Sequence, residues 1–207
     1  MRVILVLLLV ALPAGAIPAA DCAGQAVFQL EGDGVRTDRV RLWCKNVGKS
    51  ALKVEVPRGT VFTHPQLQDL MVLEERKLVV SPGARVQCSL ATMCVGLRTE
   101  KPPGSTVEVT AQSCQSHPQA SSASKFYECA QKLCQNGDLP PLPMLRGMQP
   151  GIVAQYALWR QQGMSKEDLK HLVFTHTKPK PEDEPEANKG VDNIWEAVDL
   201  TSKEASK

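Results

Sequence analysis

Between residues 40 and 109 the chain is a succession of short runs in which apolar and polar side chains alternate, cut by proline and glycine at near-regular intervals. Few architectures accept that pattern. Val40-Arg41-Leu42-Trp43-Cys44 and Leu52-Lys53-Val54-Glu55-Val56 alternate cleanly on either side of the turn-forming Asn46-Val47-Gly48-Lys49. A side-chain period of two sends one face of each run to a core and the other to water. Thr60-Val61-Phe62, Leu70-Met71-Val72-Leu73, Lys77-Leu78-Val79-Val80, Val86-Gln87-Cys88-Ser89-Leu90 and Thr106-Val107-Glu108-Val109 continue the series. Pro57, Gly59, Pro65, Pro82-Gly83 and Pro102-Pro103-Gly104 punctuate it. The spacing predicts a mainly β fold with α additions, an immunoglobulin-like β-sandwich of about seven strands in two sheets over residues 21–113.

Beyond Ser113 the pattern changes. Residues 121–136 carry few β-branched side chains and read as a helix closed by Asn136-Gly137. Leu139-Pro140-Pro141-Leu142-Pro143 reads as an extended surface segment. Pro150-Gly151 opens a second helix to near Gln162, with Gly163 as its stop. Ser165-Lys166-Glu167-Asp168 is a near capping box, with Asp where Glu or Gln is usual, for a short helix through Phe174. These elements make a helical extension, residues 114–176, packed on the sandwich. Lys178-Pro179-Lys180-Pro181-Glu182-Asp183-Glu184-Pro185-Glu186 then reads as a flexible charged linker opening a tail over 177–207. In that tail Val191, Ile194, Trp195 and Val198 recur at the spacing of a short amphipathic helix. Ile194, Trp195 and Val198 would either dock in a partner's groove or pack on their own domain.

The N-terminus bears on compartment. Arg2 precedes an apolar run over residues 4–12 that is too short to cross a bilayer. Ala14-Gly15-Ala16 or Pro18-Ala19-Ala20 offers small residues for cleavage. Residues 1–20 thus read as a signal peptide on a secreted or extracytoplasmic protein of the cell surface or periplasm. Ala19-Ala20-Asp21-Cys22 offers a loose lipid-anchoring site, with Asp21 poorly suited just before the cysteine. No later run is long and apolar enough to span a membrane. The seven cysteines therefore read first as disulfide chemistry, with Cys22, Cys44, Cys88, Cys114, Cys129 and Cys134 as candidates and connectivity open. On one strand, Cys88 and Cys94 would share a face about 20 Å apart, at roughly 3.3 Å per residue, and so would not pair.

A net charge of +2 from balanced signs argues against nucleic acid as a partner. His64, His117, His171 and His176 are scattered and suggest no metal, and no hydrolase or nucleotide-binding signature occurs. The expectation is a non-enzymatic protein without a cofactor that engages a protein or cell-surface partner.

The most specific local pattern is the helix Gly151-Ile152-Val153-Ala154-Gln155-Tyr156-Ala157-Leu158-Trp159. At about 100° per residue, Ile152, Tyr156 and Trp159 share a face and Gln155 falls at its edge. A glutamine carried into an apolar interface must be satisfied there, and backbone groups of the adjacent sheet would suffice. Gln155-Tyr156-Ala157-Leu158-Trp159 also resembles the Gln-x-Ala-aliphatic-Trp motif of secreted bacterial thioester domains. Val56-Pro57-Arg58-Gly59-Thr60-Val61-Phe62, Gln68-Asp69-Leu70-Met71-Val72, Pro82-Gly83, Met93-Cys94 and Pro102-Pro103 are similar to a group of exported β-sandwich proteins with a Gln-x-Ala-x-Trp helix downstream. Together the two resemblances cover residues 52–170. They imply a latent thioester between Cys94 and Gln155, with Tyr156 and Trp159 packed around it. Ala154 stands where the thioester family has Thr, and Met93 and Val95 flank Cys94 where that family has an aromatic neighbour. The implied function is a surface-interaction module. The other reading is an extracytoplasmic assembly component that docks a partner through the Trp195 helix.

Overall fold

A computed structural model describes residues 15–32, 38–96, 104–142 and 149–207. Residues 1–14, most of the expected signal peptide, lie outside them, as do Pro102, Pro103 and Pro143 of the proline-rich segments. The strands are β1 (Ile17–Pro18), β2 (Ala26–Glu31), β3 (Arg39–Asn46), β4 (Leu52–Val56), β5 (Val61–His64), β6 (Leu67–Val72), β7 (Arg76–Val80), β8 (Arg85–Cys94) and β9 (Val107–Gln112). The helices are α1 (Ala120–Asn136), α2 (Gln149–Gln161), α3 (Lys166–Thr177) and α4 (Glu184–Ala205).

The immunoglobulin-like sandwich is not what forms. Among the described residues, six strands close into a barrel in the order β2-β3-β8-β6-β5-β9, and β1-β4-β7 make a separate sheet. Two strands that change partner part-way produce the closure. β8 pairs with β3 from Arg85 to Ala91 and with β6 from Thr92 to Cys94. β9 pairs with β2 from Val107 to Val109 and with β5 from Thr110 to Gln112. A strand that switches neighbours turns a corner and welds what would be two sheets into one surface. Alternation still sorts the faces: Val40, Leu42 and Cys44 on β3 are buried, while Arg39, Arg41 and Lys45 are exposed. At the end of β3, buried Asn46 donates to the carbonyls of Ser50 and Val80 at 2.8 Å and accepts from the Gly48 amide. All the polar atoms of its amide group thus go to stapling the turn to β7.

The helices form where capping residues place them. Gly137 ends α1 in the left-handed conformation (φ 75°) that glycine adopts without strain. The Ser165 and Asp168 side chains each accept from the other's backbone N–H, so the capping box forms with Asp in the Glu position. Small residues, Ala123 and Ala130 on α1, Ala154 and Ala157 on α2 and Ala197 on α4, are buried where these helices pack on one another.

The tail is not a flexible linker. A 3-10 turn over Pro181–Asp183 runs into the 22-residue α4. Proline in a first turn needs no N–H, and Glu184 and Glu186 complement the positive helix end there. The proline and acid run that reads as a spacer is therefore a helix start. Ala187, Val191, Ile194, Ala197, Val198, Thr201 and Ala205 then form one buried stripe, and α4 packs on α1, α2 and α3.

Candidate functional site

Among the described residues, the last backbone bond of β8 on the β3 side is Thr92 N–H to Asp38 O at 3.0 Å. The next N–H on that edge, two residues on, belongs to Cys94. Helix α2 supplies the acceptor: Gln155 Oε1 takes the Cys94 N–H at 2.9 Å. The opposite edge keeps its backbone partner, Val95 N–H to Asp69 O at 3.1 Å. Trp159 Nε1 then donates to Gly96 O at 3.0 Å, and Gln162 Nε2, just past the helix, donates to Val95 O at 3.3 Å. Side chains spaced four and three residues apart lie on one helix face, and here they bond the backbone at the end of β8. Of the expected packing group, Trp159 is buried and Ile152 and Tyr156 are half-buried, with the Tyr156 and Trp159 rings 5.6 Å apart and tilted.

The structure thus brings together Cys94 and Gln155, far apart in sequence, and adds a third group. The Cys94 thiol donates to Gln68 Oε1 at 2.8 Å. Leu70 is the register partner of Cys94, and Gln68, two residues earlier on β6, shares its face. Cys94 is 1% exposed, whereas Gln155 and Gln68 are half-buried. Burial and the neighbouring Cys94 push the Tyr156 hydroxyl up to about 12, so it stays neutral and supplies no base near neutral pH.

Buried His117 pairs with half-buried Asp69 of β6, with Nε2 3.3 Å from Asp69 Oδ2. His117 Nδ1 accepts the Gln119 N–H at 3.3 Å, which leaves the ring proton on Nε2, facing Asp69. Both ring nitrogens are engaged away from Cys94, so these residues do not make a Cys–His–Asp triad. Among the described residues no group of three or more His, Cys, Asp or Glu is placed to hold a metal ion. A cavity of about 560 Å³ opens elsewhere, along Glu31, Arg39, Arg41, Gln87 and Ser89, and none of Cys94, Gln155 and Gln68 lines it.

The other sequence candidates fall as follows. None of the seven cysteines stands in a disulfide. Cys22, Cys44 and Cys88 are near neighbours: burial, then the Cys22 and Cys88 charges, push the Cys44 thiol up to about 12. The thiols of Cys22, Cys88, Cys114 and Cys129 are raised too, in each case first by burial. Cys114 follows β9 under Gly59, and Cys129 and Cys134 lie on α1. Cys22 is fully buried, with its thiol against Pro18 O at 3.3 Å. In α4, Ile194 and Val198 face the chain's own helices and do not form a free docking face. Trp195 is half-buried under the Arg160 guanidinium, which also pairs with Asp199.

Gln68 and Asp69 stand inside a quoted resemblance, but sequence reasoning assigns no role to them, to Gln162 or to the His117–Asp69 pair. The available signal was the parity of Gln68 with Leu70 on a strand adjoining Cys94, legible only once the register is known. Compared with known proteins, the chain matches no family model, no curated protein and no solved structure.

Proposed function

We propose that this protein is an exported, non-catalytic binding module in which Cys94 and Gln155 close into a thioester that captures a nucleophile on a partner surface. The observation that carries this reading is the 2.9 Å bond from the Cys94 amide to Gln155 Oε1. It puts an N–H donor on the oxygen that gains negative charge when a nucleophile adds to the Gln155 amide carbon. The sulfur is on the same residue as that donor. Addition of Cys94 Sγ to Gln155 Cδ forms the S–C bond. The C–N bond then breaks, the thiol proton passes to the departing nitrogen, and ammonia leaves. An amine or hydroxyl of the partner later adds to the same carbon and releases the thiol, leaving an amide or ester. The module acts once and does not turn over.

Half-burial of Gln155 supports the second step, since a nucleophile must reach its carbon, while Cys94 and Trp159 beside it are buried. The test is methylamine. Treated protein, digested and mapped, is expected to carry a methylamide at position 155 and a newly alkylatable thiol at Cys94. A chain whose Gln155 remains an unmodified amide under these conditions contradicts the reading.

Export carries a prediction of its own. β1 pairs parallel with β4, Ile17 with Val54 and Pro18 with Glu55, and Ala19 and Cys22 are buried, whereas Gly15 and Ala16 are exposed. Cleavage after Ala16 keeps β1 in the fold and cleavage after Ala20 removes it. N-terminal sequencing of secreted protein is expected to begin at Ile17, and a start at Asp21 rejects this register.

A further inference from the structure

We propose that Gln68 holds and aims the Cys94 thiol, which makes it a positioning residue for the closure proposed above and rests on that reading. Cys94 stands between two glutamine carbonyls: Gln155 takes its backbone N–H and Gln68 its thiol hydrogen, at 2.9 and 2.8 Å. The bonds divide the labour. An S–H directed at Gln68 leaves the sulfur lone pairs free for other directions. An S–H directed at the Gln155 carbonyl would put hydrogen in the line of attack. Sulfur reaches Gln68 along an S–H···O bond, which makes Gln68 an acceptor of the thiol hydrogen, whereas attack on a carbonyl carbon requires a sulfur lone pair. An amide oxygen is also too weak a base to take the thiol proton, so Gln68 orients the thiol without ionising it.

Substitutions at position 68 separate this role from simple packing. Gln68→Met keeps length and bulk and removes the acceptor, while Gln68→Glu keeps an acceptor at the same reach and adds a base. In chain produced unfolded, with the Gln155 amide verified intact by mass, and then refolded under reducing conditions, ammonia loss is followed by intact mass. Gln68→Met is expected to slow closure by about tenfold or more, as misorientation of a nucleophile does. Gln68→Glu is expected to restore the rate and make it rise with pH as the carboxylate ionises. Closure at the native rate by a folded Gln68→Met chain overturns the proposal.

The same substitutions in a Gln155→Ala chain, which forms no bond, isolate the thiol itself. Iodoacetamide labelling of Cys94, quantified by peptide mapping, is expected to quicken with Gln68→Met, which frees the thiol from its acceptor, and with Gln68→Glu to rise with pH as the carboxylate ionises. Unchanged labelling in both rejects the Gln68 role even where the bond closes. Labelling that responds as expected while no chain loses ammonia upholds the hold of Gln68 on the thiol and rejects the thioester reading.

Discussion

The two ends of β8 are held in different ways. From Arg85 to Ala91 the strand is paired residue by residue with β3, and its neighbour is backbone. From Cys94 to Gly96 the backbone is held by the side chains of Gln155, Trp159 and Gln162, supplied by or just past a helix. Backbone pairing is indifferent to side-chain identity, so the first half tolerates change wherever the side chain faces water. The second half depends on three particular side chains, each matched to one backbone group. A strand end held in this way also brings side-chain carbonyls to a cysteine, which a backbone ladder does not.

Substitution breaks the comparison most directly. Trp159→Ala removes a buried aromatic ring and the donor to Gly96 O, and is expected to cost about 3–5 kcal/mol in urea unfolding. Gln87→Ala, an exposed position on the paired half, is expected to stay within about 0.5 kcal/mol. Similar costs at the two sites would mean that the clasp is incidental. Next in size is Gln155→Leu, which leaves the Cys94 N–H without its acceptor at a cost of about 1–3 kcal/mol. Its signature is faster amide hydrogen exchange at Cys94, with Thr92, bonded to Asp38 O, unchanged.

The smallest effect lies in the helical layer that carries α2. Lys132 on α1 and Lys207 hold the Glu204 carboxyl at about 2, below its ordinary 4.5. A carboxylate depressed in the fold stabilises above its unfolded value, and that contribution is lost as pH falls through the folded value. Native stability is therefore expected to decline as pH drops from 4.5 toward about 2, with a shallower decline for Glu204→Gln. Superimposable acid profiles would show that this pair does not tie α4 to α1.

Much of this was legible in the sequence where local chemistry decides. The alternating runs of β3 and β4, the Gly137 stop of α1 and the Ser165–Asp168 capping box all form where the residues indicate. Barrel closure was not legible, because β8 and β9 exchange partners without any break in their alternation. α4 was misread because proline and acid spell both a solvated spacer and a helix start, and only the packed stripe behind them decides between the two. At the site, Gln155 was visible through its motif. The role of Gln68 was not, since a polar residue on a strand looks the same whether it meets water or a thiol.

The intact mass of mature, untreated protein decides whether the bond between Cys94 and Gln155 exists. A chain one ammonia lighter than its sequence and disulfide state require is expected, with the deficit mapped to a Cys94–Gln155 crosslink and abolished by Cys94→Ala. A full-mass chain with an intact Gln155 amide would contradict it, and the clasp of α2 on β8 would then be a structural device alone.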